Sequence, residues 1–368
     1  MTKLKRRDIL KGAALGGAAG LAVASTLPAP AYAKGRQKLK MVTTWPKNYP
    51  GLGMMAERTA KRIKDMTEGR IDVRVYGAGE LVPPFECFDA VANGTADMYH
   101  GAEYYWQGKS KGFNFFTAVP FGLSATEMNA WVFHGGGQEL WDKLSARFGI
   151  KAFSAGNTGV QMGGWFRKPI TSLEDFKGLK IRMPGLGGEV YRRLGAAAVA
   201  LPGGEIFPAL QSGAIDATEW VGPWNDMAFG FYKVAKYYSW PGFHEPGSTL
   251  ALGINLDVWN EFSKADKVMI ETACKAEDNY SLAEYNMLNG RSLKQLIEKH
   301  DVQLMRMPDE ALAKIGEISG QVLREAAAES TEVNDIYQSF MAARGEVSEW
   351  SRISDQAYWE ARGLPYNF

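Results

Sequence analysis

From Ile71 to Tyr76 the chain alternates. Ile71, Val73 and Val75 fall on one face, and Asp72, Arg74 and Tyr76 on the other, the period-two pattern of a half-buried strand. Residues 38–44 predict another strand. Residues 54–67 repeat apolar side chains at helical spacing and stop at Gly69, a residue suited to end a helix. Residues 126–148 read as helical segments interrupted at Gly135-Gly136-Gly137, and residues 152–162 as a segment crossing between two lobes. Residues 172–176, 187–194 and 205–211 predict short helices alternating with strands. Such alternation implies parallel or mixed sheets covered by helices.

An internal echo supports two lobes. Residues 90–97 read A-V-A-N-G-T-A-D and residues 209–216 read A-L-Q-S-G-A-I-D. In both, an apolar helix ends at glycine and a short strand begins at aspartate. The first strand runs into Tyr104-Tyr105-Trp106, the second into Glu219-Trp220. Beyond Ser263 the pattern becomes helical. Ser263 with Asp266 makes an N-terminal cap, and the helical period persists to about His300. Pro308-Asp309 opens a second stretch, and residues 333–344 form a third. The tail, 349–368, carries Trp350, Tyr358, Trp359, Tyr366 and Phe368. So many aromatics must pack on the chain's own lobe or on a partner.

The first 33 residues read as a targeting segment. Lys3, Lys5, Arg6, Arg7 and Lys11 precede a small-residue apolar run, and Ala31-Tyr32-Ala33 is an A-x-A cleavage site. Arg6-Arg7 points to twin-arginine export. Lys5 and Ile9 stand where Ser/Thr and Phe are common in that motif, so an ordinary secretory signal is the alternative. No later run reaches the ~18 apolar residues of a membrane span. The expected location is the periplasm. Of 42 basic and 41 acidic residues the segment holds five and one, which leaves 37 against 40. A mature net charge of −3 argues against nucleic acid as a partner. It also means that an anionic ligand is captured by local charge. Cys87 and Cys274 are too few for a disulfide framework or an iron–sulfur cluster; Cys274 lies on a helical stripe with Ile270 as a buried small hydrophobe.

The candidate chemistry lies in residues 178–220. Here G-L-K-I-R-M-P-G places a charged side chain, Arg182, at the end of a short strand, and A-T-E-W ends a second strand in Glu219 and Trp220. An arginine fork suits a carboxylate bidentately; a surface strand residue or a structural ion pair is the alternative. Asn157 and Gln161 sit in a Gly-rich segment, where their amides could cap turns or reach a ligand. Glu219 and Glu245 stand beside Trp220 and Phe243, and a carboxylate held against such walls needs a partner.

The strand with its arginine resembles the signature of the solute-binding subunits of tripartite ATP-independent periplasmic (TRAP) transporters, the DctP-type family. The resemblance covers nearly all of the mature chain and is strongest to the 2-oxoacid-binding members. It rests on G-A-G-E-L-V at 77–82, Y-Y-W at 104–106, F-H-G-G-G at 133–137, G-N-T-G-V-Q-M-G-G-W-F-R at 156–167, A-T-E-W-V-G-P at 217–223 and Y-Y-S-W-P-G-F-H-E at 237–245. It implies an α/β, two-lobed, type II-like periplasmic binding protein with long C-terminal helices. Lobe I would hold residues 34–156 and a return segment 247–285, lobe II residues 157–246, and residues 286–368 a helical region packing on the lobes and on a dimer partner.

It also implies capture of a small monocarboxylate, a 2-oxoacid such as pyruvate or a 2-hydroxyacid such as lactate, and delivery to TRAP membrane subunits. Arg182, Gln161, Asn157, Tyr104, Tyr105 and Trp220 are the expected substrate contacts. Gln161, Glu219, Glu245 and the backbone carbonyl of Trp220 are the expected ligands of a bridging cation. An all-oxygen shell suits Na⁺ or Ca²⁺. A sensory binding protein is a second reading. An exported enzyme is a third, but the four histidines show no metal spacing and no G-x-S-x-G is present.

Overall fold

The computed structural model describes residues 36–366; the targeting segment and Phe368 lie outside the described residues. Its strands are β1 Gln37–Thr43, β2 Ile71–Tyr76, β3 Met98–Gly101, β4 Ile150–Asn157, β5 Gly164–Phe166, β6 Lys180–Arg182, β7 Ala197–Val199, β8 Ala217–Thr218, β9 Tyr237–Trp240, β10 Thr249–Asn255 and β11 Gln303–Arg306. They form two sheets, β2-β1-β3-β10-β4 and β11-β9-β5-β8-β6-β7. Both are mixed: β10 runs antiparallel to β3 and β4, and β5 antiparallel to β8 and β9.

The sequence echo is a structural repeat. In the first sheet Asp97 accepts from the backbone of Lys40 at 2.6 Å and opens the parallel pairing of β1 with β3. In the second, Asp216 accepts from the backbone of Lys180 at 3.2 Å and opens the pairing of β6 with β8. Each lysine also donates its ammonium to the loop before the aspartate, Lys40 to Thr95 and Lys180 to Gly213, at 2.8 Å in both cases. The preceding helices end at Gly94 and Gly213, whose φ of 74° and 77° only glycine adopts cheaply. Counting from the clamping aspartates, His100 and Glu219 occupy the same place, each buried at a strand end.

The chain passes between the sheets at residues 158–163, after β4, and returns at 241–248, before β10. The two crossings touch. Gln161 N donates to Glu245 O and Thr158 N to Ser248 O, both at 3.1 Å. A Cβ at Gly242 would lie 2.2 Å from Gln161 O, so the approach requires glycine there.

Ser263 caps the helix Lys264–His300, accepting from Asp266 N. This 37-residue helix packs on β4, on the helix Leu52–Met66 and on the helix Pro223–Phe229. It runs unbroken through the boundary expected at 285. β11 follows it and pairs parallel with β9, so the helical region also contributes an edge strand. Its four residues are mostly exposed, too short and too polar for a period-two signal. The helices Asp309–Ala327 and Thr331–Ser351 come next. In the tail, Ser351 donates to Glu127 at 2.6 Å, while Trp350 is left 68 % and Trp359 59 % exposed. Cys87 and Cys274 are buried and free. Among the described residues no helix is long and apolar enough to cross a membrane.

Candidate functional site

β6 is three residues long, and both Ile181 and Arg182 are buried. A buried guanidinium must be paired, because an isolated charge in the interior costs several kcal/mol even after relaxation, on the order of the values for buried ions. Arg182 satisfies this with backbone and side chain together. Nε donates to Leu201 O at 3.2 Å, Nη1 to Glu219 O at 3.0 Å and to Glu219 Oε1, and Nη2 to Tyr105 OH at 3.3 Å. Its central carbon stands 5.1 Å from the Trp220 ring. Burial alone would lower the arginine's pKa; the charge of Glu219 and the neighbouring groups raise it.

Glu219 directly follows β8, and its N–H donates to Arg182 O at 3.1 Å. Its second oxygen lies 3.2 Å from His244 Nε2. Burial pushes the His244 imidazolium down, but the hydrogen bond and charge of Glu219 prevail and leave its pKa raised. Glu245 is pushed up to about 7, first by burial and then by the charge of Glu219. One donor oxygen or nitrogen from each of Glu219, His244 and Glu245 lies within 4.8 Å of the others.

Gln161 comes from the opposite crossing. Its amide nitrogen donates to Glu245 Oε2 at 2.8 Å and stands 3.2 Å from both Thr158 Oγ1 and Ser248 Oγ. With Glu245 ionised, rotating the amide would set oxygen against carboxylate, which assigns the nitrogen to this side. Its Oε1 is therefore left buried, with no hydrogen bond among the described residues. This orphaned acceptor, on an amide that holds the Glu245 carboxylate, fits a cation with a preference for oxygen.

A narrow cavity of about 10 Å³, room for about one water molecule, lies here. Gln161, Glu245, Thr158 and Ser248 form its polar side; Trp45, Tyr104, Tyr105 and Trp220 its aromatic walls; Leu52, Val221 and Leu250 the remainder. Burial and the Arg182 charge, acting in opposite senses, leave the Tyr105 phenol raised to about 12, so it is neutral and can both donate and accept. A larger groove near Ser124, Val160 and Trp359 is open, and it gathers no such set of charges.

Of the residues expected from sequence, Arg182, Gln161, Tyr104, Tyr105, Glu219, Trp220 and Glu245 come together. Asn157 does not join them: its oxygen accepts from Gly159 N at 2.8 Å and its nitrogen donates to Thr249 Oγ1 at 3.2 Å, which holds the turn leaving β4. The sequence reading missed His244, although it precedes Glu245 in an aromatic run. It also missed Thr158, Ser248 and Trp45. Trp45 Nε1 donates to His100 Nδ1 at 2.9 Å, and burial holds His100 down at about 4, so the ring is a neutral acceptor.

Asp226 fixes the segment that carries Glu219 and Trp220. One oxygen accepts from Val221 N and Gly222 N, both at 3.1 Å; the other accepts from Trp165 Nε1 at 2.9 Å and Tyr238 OH at 2.7 Å. Burial above all pushes this carboxyl up to about 7, against four stabilising donors.

The family described as bacterial extracellular solute-binding protein, family 7 (DctP) matches residues 41–330. The chain is 40 % identical, over 96 % of its length and 98 % of the other's, to a monocarboxylate 2-oxoacid-binding periplasmic protein of Nostoc sp.. A TRAP periplasmic solute-binding protein from Pseudoalteromonas atlantica, with bound sodium and pyruvate, superposes with a TM-score of 0.85 at 37 % identity, covering 88 % of this chain and 99 % of that one. A TRAP solute-binding protein from Bordetella bronchiseptica, a mixed-occupancy dimer with copurified calcium and picolinate, superposes with a TM-score of 0.87 at 33 % identity, covering 89 % and 98 %.

Proposed function

The chain belongs to the DctP family, family 7 of the bacterial extracellular solute-binding proteins, as a TRAP solute-binding protein, and from that premise we propose that it captures a small 2-oxo or 2-hydroxy monocarboxylate together with a hard cation. The family is periplasmic, binds small organic acids and works with membrane subunits. Its relatives are binding proteins, and capture needs no bond-making step here.

The observation that carries the reading is the buried, unpartnered Oε1 of Gln161, whose amide nitrogen holds Glu245, the carboxylate that clusters with Glu219. Gln161, Glu219, Glu245 and the backbone carbonyl of Trp220 would hold Na⁺ or Ca²⁺. Such a cation would supply positive charge to the acid's oxygens. Arg182 receives the acid's carboxylate, with Tyr105 OH beside Nη2 and Tyr104 as a wall. Sodium in the relative from Pseudoalteromonas and calcium in that from Bordetella, each alongside an organic acid, support this assignment.

Charge conservation supports it as well. Arg182 and Glu219 neutralise each other in the interior. A monocarboxylate and a monovalent cation add no net charge, so each protein charge exchanges partners and none is left bare. The Arg6-Arg7 pair supports export by the twin-arginine route. The exposed aromatic tail supports a homodimer. Calorimetry with pyruvate, in sodium or calcium and again in sodium-free buffer with chelator, tests the reading: binding is expected only with the cation, and native affinity without it rejects the bridge.

A further inference from the structure

The first turn of the helix Pro223–Phe229 holds two adjacent buried polar residues that face opposite ways. Asp226 turns towards the second sheet and clamps Val221 and Gly222, as described above. Asn225 turns towards elements of the first sheet. Its Oδ1 accepts from Tyr285 OH at 2.6 Å, its Nδ2 donates to Pro50 O at 2.9 Å, and its backbone oxygen accepts from Tyr49 OH at 2.5 Å. One residue earlier, Trp224 N donates to Asn289 Oδ1 at 3.0 Å. Four hydrogen bonds thus leave a single helical turn for the 49–50 loop and the helix Lys264–His300.

The packing leaves no slack. A Cβ at Gly51 would stand 2.3 Å from Tyr285 OH, and one at Gly222 would stand 3.1 Å from the Asn289 amide. Tyr49 also stacks on Phe229 at 4.4 Å and meets Trp220 edge-on at 6.5 Å. So Tyr49 and Pro50 hold Asn225 from the loop after β1 of the first sheet, Tyr285 holds it from the long helix that also packs on β4, and the turn it sits on begins three residues after Trp220.

We propose that Asn225 is the positioning residue that latches the Glu219–Trp220 segment onto the lobe of the first sheet and holds the two lobes closed over the ligand. It touches neither acid nor cation. It acts through the backbone between Trp220 and Pro223, which Asp226 keeps rigid. An amide serves here because the site offers one hydroxyl to accept from and one carbonyl to donate to. A carboxylate would face the carbonyl of Pro50 without a proton, and an alanine would strand both partners.

The inference rests on the ligand reading above, and the test separates the two. Dissociation of pyruvate from the sodium-loaded mature protein is measured by stopped flow for the wild type, Asn225→Ala and Tyr285→Phe. Tyr285→Phe removes a single oxygen and keeps the ring. It is expected to speed dissociation about fivefold, the size of one neutral hydrogen bond, with Asn225→Ala faster still. Association should not slow, because the variants populate the open form, the one that admits ligand, at least as fully as the wild type.

In parallel, spin labels at Lys64→Cys and Lys177→Cys report the distance between the lobes without ligand; Cys87 and Cys274 are buried and stay unlabelled. The distance should lengthen in both variants. Loss of thermal stability with unchanged dissociation and unchanged distance marks a purely structural role and overturns the latch. If the wild type binds no pyruvate with either cation, the ligand reading fails, and the label distances alone decide the latch.

Discussion

Arg182 and Glu219 are each other's counterion inside the protein: Nη1 donates to both the side chain and the backbone oxygen of Glu219, and neither side chain is exposed. Sequence separates them by 37 positions; β6 and β8 make them neighbours. An ion pair this deep has a desolvation cost comparable to its attraction. Its use is to keep both charges ready for an exchange.

Arg182→Lys keeps the charge and loses the planar fork. The ammonium cannot reach Leu201 O, Glu219 and Tyr105 OH together. Monocarboxylate affinity should fall by about 1.5–3 kcal/mol, the range for a charged hydrogen bond. Calorimetry with pyruvate checks this, and unchanged affinity removes Arg182 from the site.

Glu219→Gln leaves Arg182 buried without its anion. Stability should drop by about 3–5 kcal/mol, as for other broken buried pairs. Cation-dependent binding should be lost as well. Chemical denaturation and calorimetry on the same sample read the two effects separately.

Withdrawal of the cation should act on binding alone. The fold keeps its own pairings around Glu219 and Glu245, to Arg182, His244, Gln161 and Ser248. Chelator-treated, sodium-free protein should therefore retain its circular dichroism spectrum while pyruvate binding disappears.

Asp226 predicts a pH dependence of stability. Its carboxyl is raised from the ordinary ~3.9 of aspartate to about 7. Between those values the folded protein holds a proton that the unfolded chain has released. This contribution is therefore fully present at low pH and falls as pH rises, by on the order of 1.4 kcal/mol per unit, levelling off near neutrality. Asp226→Asn should flatten that part of the profile. It should also lower stability overall, because Trp165 Nε1 can only donate and would face an amide N–H. Melting temperatures across pH 4–8 for both proteins provide the check.

Removal of the chain after Arg344 keeps the buried Phe340 and the bond from Arg344 Nε to Phe121 O. It deletes the exposed Trp350, Tyr358 and Trp359. A monomer that still binds ligand should result, since every proposed pocket residue lies before Ala251. Light scattering of the full-length mature protein decides first: a monomer at high micromolar concentration rejects the dimer.

The two-sheet plan was legible because the repeat writes it twice, as an apolar helix, a glycine and an aspartate that opens a strand. Arg182 stood out as a charge set between the apolar Ile181 and Met183 at the end of a short strand. The pairing of Arg182 with Glu219 was not legible, since no local pattern fixes which strands become neighbours. His244 and Trp45 escaped for a related reason: a buried polar ring looks like packing until its partner across the fold is known. Asn157 shows the reverse. An amide in a Gly-rich turn suits a ligand and a turn equally, and the turn took it. β11 was hidden because an exposed four-residue edge strand carries little periodicity.

Gly242 and Gln161 stand where the chain changes sheets, and the same few residues supply the oxygens facing the void. Joint and receptor are thus one piece of the molecule. Any bend between the lobes displaces coordinating atoms directly, and any cargo that draws those atoms together sets the bend. No message has to travel through the protein for its shape to report whether it is loaded.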